Sequence, residues 1–185
     1  MEWLLFSYWL PPEPSRKRVF VWRQLKKLGA LSTEGAWLLP KTDSLKESFQ
    51  DIVRTVEEME GTANLYIVTH FSNEQEDRAI EKFRQEREKE YSELIAECHK
   101  ALKHIEWEYN RQEFNFEEVE ELEGDLEKIN RWFIEITKRD FWDTSVKSEV
   151  EKQIKKVEDN LTEFTKKTFE VTGGNADNNS LIPEQ

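Results

Sequence analysis

Apolar and aromatic residues fill every position but one in Trp3–Leu10 (WLLFSYWL), and Pro11-Pro12 closes the run. This pattern predicts a strand buried on both faces. A helical period follows over roughly Pro14–Leu28. At 100° per residue Val21, Leu25 and Leu28 share one face with Trp22 at its edge, while Arg16, Arg23 and Lys27 stack opposite. Gly29 supplies the left-handed residue that ends such a helix. Ala30–Ser32 and Ala36–Leu39 read as two short strands turning at Gly35. Thr42 or Asp43 caps a second helix to about Met59, with Leu45, Phe49, Ile52, Val53 and Val56 on its apolar face. Gly61 stops it, and the β-branched, aromatic run Leu65–Phe71 predicts a fourth strand.

From Glu74 onward the period is helical throughout. Ile80, Phe83, Tyr91, Leu94, Cys98, Leu102, Ile105 and Tyr109 define one long helix to about Arg111. Asn115 and Glu118 form a capping box for a second, carrying Val119, Leu122, Leu126, Ile129, Phe133 and Ile136 to near Asp140. A third begins near Thr144, with Val146, Val150, Ile154, Val157, Leu161 and Phe164 on its stripe, and Gly173-Gly174 is expected to stop it. The expected class is α+β. Residues 1–72 make a ferredoxin-like βαββαβ head, 73–142 a long helical hairpin, 143–172 a C-terminal helix and 173–185 a flexible polar tail.

Composition adds charge to this picture. The net charge is -12, yet Arg16, Lys17, Arg18, Arg23, Lys26 and Lys27 fall in a twelve-residue stretch without an acid. Arg16, Lys17, Arg23, Lys26 and Lys27 are therefore the candidate nucleic-acid-binding residues, since such side chains neutralise phosphates and displace counterions. The competing reading is a solvated face that pairs with acidic helices of this chain or a partner. Residues 113–127 hold eight acids and no base, which supplies a match. A single cysteine excludes an internal disulfide framework and fits a reducing cytoplasm. The apolar start lacks a basic flank and meets prolines at once, unlike a secretion signal. No stretch has the length of a membrane-spanning helix, so a cytoplasmic chain without membrane contact is expected.

Chemistry-bearing residues are sparse. Cys98 lies on the apolar stripe with Leu94 and Leu102 and reads as a small hydrophobe. His99 and His104 are five apart rather than the four that would join two imidazoles on one helix face, and His70 ends a strand without an evident partner. The acids of 117–127 read as a wet helix face. No nucleophile elbow, phosphate-cradling glycine loop or calcium loop is present, so neither catalysis, nor a cofactor, nor a metal site is expected. Most of the seven tryptophans are expected in the core, with Trp107 exposed off its stripe. The apolar area of the long helices, and a sheet face left to cover, predict a homodimer.

Several blocks together resemble a known family. Pro14-Ser15-Arg16, Arg18-Val19, Trp22-Arg23, Leu28-Gly29-Ala30 and Trp37-Leu38-Leu39-Pro40 are similar to the N-terminal domain of ChrB proteins of bacterial chromate resistance. So are Phe83-Arg84, Tyr91, Leu94-Ile95-Ala96-Glu97-Cys98, Glu120-Glu121-Leu122-Glu123, Arg131-Trp132 and Arg139-Asp140-Phe141. The resemblance runs from about Trp3 to Trp142. It implies transcriptional control of chromate-efflux operons, with DNA as a partner, and a distant relation to the ferredoxin-like module of phenylacetate-responsive repressors and CRISPR-associated nucleases. ChrB proteins continue into a C-terminal domain, whereas Thr144–Gln185 offers one helix and a tail. A separate protein that supplies that domain is one candidate partner, and the resemblance does not decide it. The nucleases place a metal-binding aspartate at the end of the first strand; Trp9-Leu10-Pro11 stands here, so nuclease chemistry does not carry over.

Overall fold

The computed structural model describes residues 1–177, with side chains through 173. Its elements, in chain order, are β1 (Trp3–Trp9), α1 (Ser15–Lys27), β2 (Leu31–Thr33), β3 (Ala36–Pro40), α2 (Asp43–Glu58), β4 (Thr62–Val68), α3 (Asn73–Arg111), α4 (Phe116–Thr137) and α5 (Lys147–Asp177). They form two compact units, Met1–Arg84 and a second that begins at Gln85.

In the first unit the strands make one antiparallel sheet in the order β2-β3-β1-β4, the ferredoxin-like arrangement that the alternation of strands and helices predicts. β1 lies inside the sheet and is apolar on both sides for that reason. Phe6 points to α2, its ring centroid 5.2 Å from that of Phe49. Trp3 points to the other face and meets Phe71 and, at the start of α3, Phe83, at 5.9 and 6.0 Å. Its indole Nε1 donates to Glu76 Oε1 at 2.8 Å. The second sheet face is thus covered near Trp3 by the chain's own residues 71–83, where a partner was expected to cover it.

β4 departs from its predicted span. Leu65–Phe71 was the expected strand, but pairing runs from Trp3↔Val68 to Trp9↔Thr62. The seven residues of β1 fix the seven of β4, and His70 and Phe71 lie beyond the start of β1 with no strand to pair with. The α2 stop also works differently. The left-handed residue is Glu60 (φ 65°), not Gly61. Glu60 and Gly61 donate their amides to Glu57 O and Val56 O, as Gly29 and Ala30 donate to Lys26 O and Leu25 O after α1. Gly61 is needed for room: a Cβ there would lie 2.5 Å from the Trp9 carbonyl oxygen.

The second unit is helical. Tyr91, Leu94 and Cys98 of α3 share one buried cluster with Leu122 and Ile129 of α4 and Phe164 of α5. Asn115 caps α4 as predicted, its side chain accepting from the Glu118 amide at 2.9 Å. Gly173-Gly174 does not stop α5, which continues to Asp177. Gly173 has ordinary helical backbone and open space around it, so glycine costs helix stability without ending the helix. Of the expected flexible tail, residues 178–185 lie outside the described residues. No helix among those described is long and apolar enough to cross a membrane.

Candidate functional site

The basic residues of α1 divide into two sets. Lys17 is half-buried: its Nζ donates to the Met59 carbonyl at 3.0 Å and lies 3.8 Å from Glu60 Oε2, tying α1 to the end of α2. Arg18 donates to the Pro12 carbonyl at 3.0 Å, and Lys26 is half-buried and engaged. Arg16, Arg23 and Lys27 are exposed, and none has a hydrogen-bond or ion-pair partner among the described residues. The helix packs through Val21 and Leu25, so turning the three cations outward follows from the sequence period. Sequence did not reveal that Val19 and Phe20 are exposed beside them, with Trp22 exposed at the edge. Of the tryptophans only Trp3 and Trp37 are buried; Trp9, Trp22 and Trp107 are exposed, so most do not belong to the core. Trp9 ends its strand and Trp22 sits at the helix margin, where neither has a layer above it.

The second unit holds a buried polar cluster that the sequence did not announce. Arg87 is nearly inaccessible, with Nη2 3.4 Å from Glu86 Oε2 and Nη1 3.4 Å from Glu90 Oε2. Arg139 Nη1 reaches Glu90 Oε1 at 3.1 Å. Next to it Asp140 accepts from Tyr91 OH at 3.2 Å, from the Thr144 amide at 2.9 Å and from Thr144 Oγ1 at 2.7 Å. Burial, more than the nearby Asp140 carboxylate, pushes the Tyr91 phenol up to about 12, so it remains a donor at any ordinary pH. Three carboxylates (Glu86, Glu90, Asp140) face two guanidiniums (Arg87, Arg139). With no surplus of positive charge to attract an anion, the cluster ties α3 to the connection between α4 and α5.

Cys98 is buried, and burial pushes its thiol up to about 11, as befits the hydrophobic role read from its stripe. His70 and His99 are exposed. His104 is not isolated. Its Nε2 lies 3.7 Å from Glu108 Oε1, one turn on, and its Nδ1 lies 4.0 Å from Asp125 Oδ2 of α4. Glu118, from the first turn of α4, joins His104 and Glu108 so that one donor atom from each falls within 4.8 Å of the others. The trio holds a single histidine, so histidine spacing does not mark it. The His104–Glu108 spacing of four was legible, but Glu118 comes from another helix. His104 and Asp125 also line a groove of about 410 Å³ between α3 and α4, with Lys100 and Trp132 on its walls.

Comparison with known proteins agrees with the blocks noted in the sequence. No curated protein matches, and neither does any solved structure. A protein-family match does extend over residues 18–175, to the family described as Protein ChrB, N-terminal. It reaches past Trp142, the end of the resemblance in the sequence, and takes in nearly all of α5. Strands β2 to β4, the Arg139–Asp140 anchor and the three-helix core fall within the matched residues, β1 lies ahead of them, and the chain belongs to the ChrB N-terminal family.

Proposed function

We propose that this chain is a regulatory module of chromate resistance that acts without catalysis, holding a polyanion, the phosphate backbone of nucleic acid, on the outer face of α1. The observation that carries this reading is that Arg16, Arg23 and Lys27 are exposed and have no partner among the described residues, in a chain of net charge -12. Acids outnumber bases 39 to 27, yet none of the described acids pairs with these three cations. Over eleven residues at 1.5 Å each, the three span roughly 16 Å, several phosphates along a strand. No helix among the described residues carries a set of base-reading side chains, so contact is to the backbone with little sequence preference.

A second reading has support of its own. Val19, Phe20 and Trp22 are exposed on the same helix, and phosphate contact has no need of Val19. They favour a protein partner, either a second copy or a protein supplying the C-terminal ChrB domain. Titration of labelled duplex DNA at 50 and 200 mM salt separates the readings. With three phosphate contacts log K falls with log salt at a slope of about -2.7, roughly a 40-fold loss over that range. Arg16/Arg23/Lys27→Ala should abolish the salt dependence, and the duplex should survive magnesium or manganese intact. Absent binding at low salt, or equal binding by the triple variant, removes the nucleic-acid reading. Cleavage of the duplex removes the non-catalytic one.

A further inference from the structure

Glu108 is an unusual carboxylate. Its residue is 1% exposed, and Oε2 has no hydrogen-bond donor. A buried anion without a donor is strongly unfavourable, so a counter-charge belongs beside it. The nearby cation is already committed: the Arg111 guanidinium stacks 4.1 Å over the Trp107 ring and bonds to Glu113. What does face Glu108 is a second carboxylate, Glu118, and the imidazole of His104.

We propose that His104, Glu108 and Glu118 bind a divalent first-row transition cation of the zinc type, with Asp125 positioning the imidazole. The donor set is one nitrogen and two carboxylates, which suits zinc and its neighbours and is too nitrogen-rich and too small for calcium. Ligand atoms about 2.0–2.1 Å from one tetrahedral ion stand roughly 3.4 Å apart. His104 Nε2 and Glu108 Oε1 already stand at 3.7 Å, and all three donors within 4.8 Å. Glu118 is only half-buried, so turning its side chain closes the remaining gap.

The surroundings fit this role. Asp125 Oδ2 lies 4.0 Å from His104 Nδ1, beyond a hydrogen bond, while Nε2 faces Glu108; closing that gap would give the arrangement in which a carboxylate orients a metal-binding histidine. Two glutamates and a neutral histidine carry two negative charges, which the ion would cancel. His104 and Glu108 sit in the last turns of α3 and Glu118 in the first turn of α4. A bound ion would therefore staple the hairpin across the turn at 112–115.

The test uses the full chain, stripped with a chelator and dialysed. Zinc is titrated against a chromophoric competitor, and cobalt is added in parallel to read visible absorption bands of a protein-bound ion. One ion per chain is expected. His104→Ala and Glu118→Gln should each weaken zinc at least 100-fold and erase the cobalt bands, and Asp125→Asn should weaken it 10–100-fold. His70→Ala and His99→Ala should stay within twofold of wild type. Zinc should raise the melting temperature of wild type and leave that of Glu118→Gln unchanged. Should His104→Ala fail to fold, Glu118→Gln, at a half-exposed position, still decides the matter. Absence of saturable zinc binding below about 100 μM, retention of binding in Glu118→Gln, or an equal loss in His70→Ala or His99→Ala would each overturn the proposal. In the first case a proton, not a metal, satisfies Glu108.

Discussion

Removing the Asp140 carboxylate tests whether the buried polar cluster anchors the helical unit. Asp140→Ala takes the acceptor from three donors: Tyr91 OH, the Thr144 amide and Thr144 Oγ1. Both donor residues are buried, Tyr91 at 0% and Thr144 at 5% exposed. A hydrogen bond to a charged group contributes about 1.5–3 kcal/mol, and stranding a buried donor costs about 1–3 kcal/mol. These effects share one acceptor and do not add. The Thr144 hydroxyl can rotate to another partner, whereas the Thr144 amide cannot. A loss of about 3 kcal/mol is therefore expected, not the sum of three bonds. For a chain of this size that corresponds to a fall in melting temperature of about 6–12 °C. Urea denaturation followed by circular dichroism measures it, with Tyr91→Phe as the single-bond comparison at about 1 kcal/mol. A loss below 1 kcal/mol for Asp140→Ala, or equal losses for the two variants, would refute the anchor.

Other expectations follow from local geometry. Gly61→Ala places a Cβ 2.5 Å from the Trp9 carbonyl oxygen and 2.8 Å from Val56 Cγ1, so stability should drop by about 1–3 kcal/mol. A change under 0.5 kcal/mol in urea denaturation would show that the α2–β4 turn gives way freely. Cys98 should resist a disulfide reagent at pH 8 in the native protein and react promptly in urea, because its buried thiol ionises only near 11. The folded state prefers the neutral thiol, so its contribution is intact below the ordinary thiol pKa of 9.0 and is lost as the pH rises toward about 11. Native-state reaction within seconds would contradict the burial.

Periodicity along the chain determined what local geometry controls. The apolar spacing of Val21 and Leu25 placed α1, and with it the outward turn of Arg16, Arg23 and Lys27. The Asn115 cap, the strand–helix order and hence the α+β class were legible in the same way, because each depends on residues close together in the chain. Tertiary structure decided what depends on a distant partner. The span of β4 follows from the length of β1, which no property of Leu65–Phe71 contains. Lys17 is tied to the Met59 carbonyl, a partner forty-two residues away that the local pattern does not show. Asp140 becomes an anchor through Tyr91, forty-nine residues away. Glu118 reads locally as half of a capping box, and the turn at 112–115 brings it beside His104 and Glu108. Side chains on one element share a face by arithmetic, but those on two elements meet only where packing brings the backbones together.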